Sequence, residues 1–529
     1  MKKLFVMLLA AAMAGCALAE EKQASGLTFD ASKGVAGSVT MPRGEVVNYT
    51  AYTGLFYVTN VEDSVYQRMN VFVPDGADES TPIFMPNYVG GYMAAQARDI
   101  DPNDASGRAL LEGYVVAIPG ARGRNSTVQR DGKTVYTGRA PKALLDLKAA
   151  VRYLREFDSE IPGNTERIIT NGTSAGGAMS SLMGATGNNP AYEPMLKAMG
   201  AADQRDDIYA AVCFCPIVDL DHADMAYEWL YSCTNNVTRP VTDEQAAVSL
   251  ELAGQFAEYV NGLGLMKPDG TQLTADNYLD YIKELLIASA QEAKDAGAEI
   301  PDSLGFSYSG AKGFAAPVNG GMKPQGGMPP QGPGGKGGPD GKMDKGPQGM
   351  PPGMPGDIPE DMRKMMQRMG KQKGEYIVDL DMTTYLNYIV TTQPLKTPPS
   401  FDSQGVAGAR QSGENEEFGD ETGSSVNFTT WSLRKATGDA NAELDAEIAE
   451  NVRLLNPMRM MVAEGSAVSP YWYIRHGARD RDTSFPVPVN LATQLQNLGR
   501  DVNFKLPWNR PHSGDYALNE MFRWIRSVL

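Results

Sequence analysis

Gly172-Thr173-Ser174-Ala175-Gly176-Gly177 constrains this chain more than any other segment. It fits the pattern G-x-S-x-G. A short apolar run, 167–171 (RIITN), precedes it, and a small-residue stretch, 172–183, turns into a helix. A sharp strand-to-helix turn of this kind pushes the Ser174 hydroxyl out of the backbone, and glycine on both sides avoids collision with neighbouring strands. The helix N-terminus behind the serine favours developing negative charge. The plain alternative is an ordinary Gly-rich turn, which does not require the flanking strand and helix.

The rest of the chain supplies the sheet such a turn needs. Residues 46–60 and 65–74 read as β-rich. Residues 82–87 (PIFMPN) form a short apolar strand followed by Tyr88-Val89-Gly90-Gly91, and 114–119 (YVVAIP) form another that ends at Gly120. Residues 140–156 place Leu144, Leu147, Val151 and Leu154 at helical spacing, with Pro141 at the start. Residues 209–218 (YAAVCFCPIV) read as a fully apolar strand. The pattern stops near His222 and resumes with a strand at 469–476, a helix at 488–498, a strand at 501–507 and a helix at 516–528. Alternating buried strands and helices imply a mostly parallel sheet covered on both faces. With the serine turn, the expected class is an α/β-hydrolase fold. Its core spans 27–222 and 456–529.

The intervening residues, 223–455, have a different character and read as a large inserted helical cap. Residues 243–300 are helical in pattern, and 360–373 read as a Met-rich basic helix. Residues 319–356 are imperfect repeats of Gly, Pro, Met, Gln and Lys, a composition that cannot bury a core.

A serine hydroxyl is a weak nucleophile without an adjacent base. The chain has 3 histidines: His222, His476 and His512. The hydrolase order is serine, acid, histidine, and His512 lies just after the last strand, where that order puts the base. His476 opens His-Gly-Ala-Arg-Asp, the H-G-x-x-D spacing of an acid loop, which makes Asp480 the acid and leaves His476 a structural role. Asp482 competes with Asp480, and His222 has the wrong chain order for the base. Two backbone N–H groups are needed for the oxyanion. Ala175 supplies one; the loop at Gly90 and Gly91, where glycine lets backbone approach substrate, supplies the other. The chemistry requires no metal and no cofactor.

Composition narrows the partners. A net charge of −16 with no basic stripe argues against nucleic acid. The chain has 4 cysteines and neither CxxC nor HExxH. Cys213 and Cys215, two apart in an apolar run, are expected on one strand face, where they rarely pair with each other. With Cys233 within possible reach of one of them, the three read as small buried hydrophobes rather than as a metal site. The start of the chain reads as an export signal, residues 1–19: a basic Met1-Lys2-Lys3, an apolar run too short to span a bilayer, and Ala17-Leu18-Ala19 as a cleavage site. Ala14-Gly15-Cys16 offers a competing lipoprotein-type ending, which would anchor the protein to a membrane through a lipid on Cys16. Both readings are bacterial in style and place the protein in the periplasm, outside the cell or at the envelope.

Several segments together resemble bacterial tannases, within the wider tannase and feruloyl esterase group: GTSAGG, DLDHADMAYEW (219–229), LKTPPSFD (395–402), ENEEFG (414–419), RHGARDRDT (475–483) and the closing PHSGDY. The resemblance implies cleavage of galloyl esters, small phenolic substrates, by a Ser174–His512–Asp480 triad. It also implies that Lys396, Glu414 and Asp482 hydrogen-bond the ring hydroxyls. Burying those hydroxyls unpaired is costly, so a matching set of polar side chains is physically sensible. Thr173 and Pro511 stand where fungal relatives carry a cysteine pair, so that bridge is absent. The stretch from Lys396 to Glu414 contains Gly405-Val406-Ala407-Gly408-Ala409 and is longer than the family pattern.

Three alternatives stand beside this reading. A feruloyl or general aryl esterase shares the triad and differs in the ring contacts. A peptidase is weaker: the cap reads as a helical insertion and the N-terminal part shows no propeller-like repeat, which leaves exopeptidases open. An exported binding protein that keeps the fold without turnover is opposed by the joint presence of Ser174, Asp480, His512 and the Gly90-Gly91 loop.

Overall fold

The computed structural model describes residues 26–309 and 376–529. The export signal with Cys16, the 319–356 repeats and the 360–373 helix lie outside the described residues. Among the described residues, no helix is long and apolar enough to cross a membrane.

The main sheet has 9 strands: β1 (Val35–Thr40), β2 (Val46–Phe56), β3 (Arg68–Pro74), β4 (Pro82–Pro86), β5 (Val115–Pro119), β8 (Asn164–Thr173), β9 (Ala210–Phe214), β12 (Tyr471–Arg475) and β13 (Asp501–Lys505). Their spatial order is β1-β2-β3-β5-β4-β8-β9-β12-β13. From β5 to β13 all pairings are parallel. β1, β2 and β3 extend the sheet antiparallel.

Continuous apolar runs are buried here for the expected reason. In β5 and β9 every residue is buried, because both faces of the sheet are covered. Val115, Ala117, Ala211 and Cys213 belong to one core, packed with helices Lys142–Glu156 and Ala175–Ala185. Val116, Ile118, Val212 and Phe214 point the other way, into a core closed by helices Ala105–Leu111 and Leu518–Val528. Leu144, Leu147, Val151 and Leu154 are buried, as their spacing predicts. These features make the chain an α/β fold of the hydrolase type.

Some elements differ from the sequence reading. β1 and the hairpin β6 (Thr127–Arg130) with β7 (Lys133–Tyr136) carry no apolar pattern strong enough to announce them. The serine helix begins at Ala175 because β8 runs on to Thr173. Cys215 lies beyond the end of β9 with φ of 45°, so strand alternation does not reach it and the two cysteines do not share a face. Both are buried, but Cys233 is exposed rather than a buried hydrophobe. No disulfide occurs among the described cysteines.

Helix Leu220–Tyr231 runs across the expected 222/223 boundary into the insert. The helical pattern of 243–300 resolves into two helices, Asp243–Gly262 and Ala275–Asp295, each opened by a threonine capping box. β10 (Phe306–Ser309) and β11 (Tyr376–Leu380) then form a small hairpin ahead of helix Met382–Thr392. Phe256, Tyr278 and Tyr385 of the insert join the same core as the 142–156 helix.

Candidate active site

Ser174 sits at the turn between β8 and helix Ala175–Ala185, with φ 62° and ψ −123°. That conformation costs a non-glycine residue about 1–3 kcal/mol, and such strain is characteristic of an exposed nucleophile turn. The surrounding glycines are required by close approach. A Cβ on Gly172 would fall 2.1 Å from Gly176 O, and one on Gly176 would fall 2.7 Å from Val89 O. Asn87, at the end of β4, donates to Asn171 O (3.1 Å), Gly176 O (3.0 Å) and Ser180 Oγ (3.1 Å), pinning the turn from the neighbouring strand. Ala175 is the first residue of its helix, where N–H groups have no intrahelical partner. Gly90 and Gly91 form a turn closed by Met93 N to Gly90 O at 3.0 Å, with Gly91 and Tyr92 both at positive φ, 56° and 57°.

The loops after β8, β9, β12 and β13 meet at one end of the sheet, the carboxyl ends of parallel strands, where α/β folds place their ligands. Asp480 follows β12 and His512 follows β13. His512 Nδ1 lies 2.8 Å from Asp480 Oδ2. Asp482 N donates to Asp480 Oδ1 at 2.9 Å. Asp480 is fully buried; burial alone would raise its pKa, but the His476 and His512 imidazoles and the bond from His512 hold it at about 2. Burial works against protonation of His512, yet the hydrogen bond and charge of Asp480, with Asp482 behind them, raise its pKa above the ordinary value. A histidine so paired accepts a proton and holds it beside a carboxylate that stays ionised.

The histidine loop is docked on the serine strand. A Cβ on Gly514 would lie 1.7 Å from Thr173 Oγ1. Asn171 Nδ2 donates to Asp515 Oδ1 at 3.1 Å, and Cys215 Sγ donates to Ser513 O at 3.3 Å. Sequence reading missed the roles of Asn87, Cys215 and Asp515; proximity to His512 in the chain was the only signal for Asp515.

The other histidines separate cleanly. His476 is fully buried, its Nδ1 is 3.6 Å from Asp480 Oδ2, and its ring nitrogens make no hydrogen bond among the described residues. Burial lowers its pKa against the opposing pull of Asp480, and the ring packs behind the acid. His222 stacks on Tyr259 at 3.8 Å and bonds Asp219 Oδ1 at 2.7 Å, away from Asp480.

Of the expected ring contacts, Asp482 and Lys396 face His512. Asp482 Oδ2 is 3.8 Å from His512 Nδ1, and the Lys396 charge opposes His512 protonation. Lys396 Nζ also stands 3.6 Å over the Phe401 ring. The Glu414 charge acts on the buried Tyr92 hydroxyl, pushing its pKa further up after burial and Glu417. The segment carrying these residues is anchored by two buried carboxylates. Asp224 accepts the N–H groups of Ser400, Phe401 and Asp402 at 2.6, 2.8 and 2.9 Å. Asp402 accepts from Asn415, Asn427, Phe428 N, Thr429 N and Thr429 Oγ1, all within 3.0 Å. The longer stretch before Glu414 is a closed excursion: Ser403 Oγ donates to Arg410 O at 2.7 Å, and Gln245 Nε2 caps Gly408 O at 3.0 Å.

Among the described residues, three groups bring metal-ligand atoms within 4.8 Å of one another: Asp480, Asp482 and His512; Asp219, Asp221 and His222; and Cys215, His476 and Asp480. In the first two, hydrogen bonds already engage ligand atoms: His512 Nδ1 with Asp480 Oδ2, His222 Nδ1 with Asp219 Oδ1, and Asp221 Oδ1 with the Asn456 amide. In the third, burial pushes the Cys215 thiol well up, and a neutral thiol is a poor ligand.

A family model described as BD-FAE matches residues 69–246. The chain is similar to tannin acyl hydrolase from Lactobacillus plantarum, at 34% identity and TM-score 0.74, over 94% of this chain and 98% of that one. A tannin acyl hydrolase in complex with ethyl gallate matches at 34% identity and TM-score 0.75, over 94% of this chain and 98% of that one. A crystal structure of Fusobacterium nucleatum tannase matches at 32% identity and TM-score 0.75, over 96% and 100%. No curated protein sequence gives a significant match.

Proposed function

The chain belongs to the tannase family, a carboxylic ester hydrolase lineage, and from that membership and the site geometry we propose that Ser174, His512 and Asp480 cleave galloyl esters. The observation that carries the reading is the His512–Asp480 contact of 2.8 Å on a loop docked against the residue before Ser174. His512 takes the proton of Ser174 Oγ as it attacks the ester carbonyl carbon. The N–H groups of Ala175 and of the Gly90-Gly91 turn receive the oxyanion. Collapse of the tetrahedral adduct expels the alcohol with the proton from His512, and water activated by the same imidazole frees the aromatic acid. In this reading Lys396, Glu414 and Asp482 bond the ring hydroxyls, and residues 223–455 cap the core.

A feruloyl or general aryl esterase is the second reading. The BD-FAE match favours it over residues 69–246, which include Ser174 but none of Lys396, Glu414, Asp482 and His512. Hydrolysis of methyl gallate, methyl ferulate and p-nitrophenyl acetate by the wild type and Ser174→Ala decides between them. Serine-dependent turnover of gallate supports the galloyl assignment. Turnover of ferulate or acetate without gallate removes it and leaves the triad. No serine-dependent turnover at all leaves an untested ester or the binding-protein alternative. The amino-terminal sequence supports export, and mass spectrometry of the mature N-terminus separates cleavage after Ala19 from lipidation of Cys16.

A further inference from the structure

Arg124 stands between two regions that the proposed reaction must keep in register: the Gly90-Gly91 turn and the cap segment that carries Glu414. Its backbone N–H donates to Tyr92 O at 2.9 Å, and its Nε donates to Gly91 O at 2.8 Å. On the other side, Nη1 pairs with the Glu416 carboxylate in the short helix Gly413–Glu417. The guanidinium lies close against the start of that helix: a Cβ on Gly413 would meet its Cζ at 2.9 Å and its Nη2 at 3.1 Å. One planar group therefore holds a carbonyl of the turn and a carboxylate of the cap at once, which is the geometry that suits arginine and not lysine.

The turn needs such support. Gly91 tolerates its positive φ, but Tyr92, a bulky residue, is held at φ 57°. The Tyr92 hydroxyl is tied to Ile217 O at 2.7 Å, close to the serine turn. Arg124 holds the opposite, backbone side. With the guanidinium removed, Gly91 O loses its side-chain donor and only the Arg124 N–H to Tyr92 O holds that side of the turn, so its N–H groups shift from where the oxyanion forms.

We propose that Arg124 is a positioning residue that braces the oxyanion turn against the cap helix through Glu416. The proposal rests on the function given above and extends it. Arg124 acts through the turn rather than on the reacting atoms, so its loss weakens the transition state more than it weakens ground-state binding.

The test measures methyl gallate kinetics, gallate binding and inhibition by phenylboronic acid, whose boron adds to Ser174 Oγ and becomes a tetrahedral anion. Arg124→Gln is expected to lower kcat about 100-fold, the scale of a misplaced catalytic group. Boronate affinity falls in parallel, while gallate affinity stays within about twofold, since uniform binding is untouched. Glu416→Gln gives a smaller drop in the same two quantities and adds little to Arg124→Gln, as members of one network do. If Arg124→Gln does not fold, read as no gallate binding, Glu416→Gln carries the test with an expected drop of about tenfold. Wild-type kcat in both variants, or a loss confined to gallate affinity, overturns the brace. Ser174→Ala runs in parallel: if it still turns over methyl gallate, the site reading itself falls; if it is dead while Arg124→Gln is unimpaired, only the brace falls.

Discussion

Asp480→Asn isolates the electrostatics of the proposed triad with almost no change of shape. The His512 Nδ1 to Asp480 Oδ2 separation is 2.8 Å. At an effective dielectric of about 20, charges 2.8–4 Å apart attract by about 4–6 kcal/mol. The attraction exists only when His512 is protonated, which occurs as Ser174 attacks the carbonyl, so nearly all of it is lost from the transition state. About 4–6 kcal/mol corresponds to a drop in kcat of about 10³–10⁴-fold. The amide adds a further penalty, because its NH₂ facing Nδ1 favours the wrong imidazole tautomer. The assay is kcat and kcat/KM on methyl gallate across pH, with Asp482→Asn alongside. In the wild type, activity requires neutral His512, whose pKa stands above its ordinary 6.5; the rate therefore falls as pH drops through that raised value. In Asp480→Asn, burial is left without the carboxylate that opposed it, so the acid limb moves to lower pH. A loss below tenfold, an unmoved limb, or a larger kcat loss in Asp482→Asn refutes the assignment of Asp480.

Three further outcomes follow from other contacts. Gly514→Ala places a Cβ 1.7 Å from Thr173 Oγ1, so the histidine loop must lift; kcat falls about 100-fold or more with the folding midpoint little changed, a split that kinetics and thermal melts together reveal. Asp402→Ala strands the donors of Asn415, Asn427, Phe428 and Thr429; a loss of about 3–5 kcal/mol in urea unfolding is expected, and a loss under 1 kcal/mol contradicts the anchoring role. Gly172→Ala drives a Cβ to 2.1 Å from Gly176 O; soluble expression or serine-dependent activity collapses, whereas wild-type activity would show that the turn tolerates a side chain.

Much of the core was legible from local rules. The runs at 114–119 and 209–218 are apolar on both faces because helices cover both sides of the sheet, and the serine turn is a matter of backbone sterics within six residues. The order serine, acid, histidine was readable because each residue follows its own strand. β1 was not: it is an edge strand with Val35 65% exposed, so burial imposes no pattern on it. The two faces of Cys213 and Cys215 were misread because alternation holds only while the strand lasts, and β9 ends between them.

What sequence determined by itself, then, is the sheet, the serine turn and a short roster of polar residues at strand ends. The tertiary structure decided how that roster is arranged. Asp480 and Asp482 are two residues apart, but only Asp480 is sealed from water against His512; His476 and His512 follow adjacent strands, but only His512 reaches the docked loop. Arg124 meets Gly91 and Glu416, the latter 292 residues away in the chain. Periodicity reports which face of an element is buried. Which side chains meet across loops depends on non-local packing of whole elements, and no local pattern encodes that.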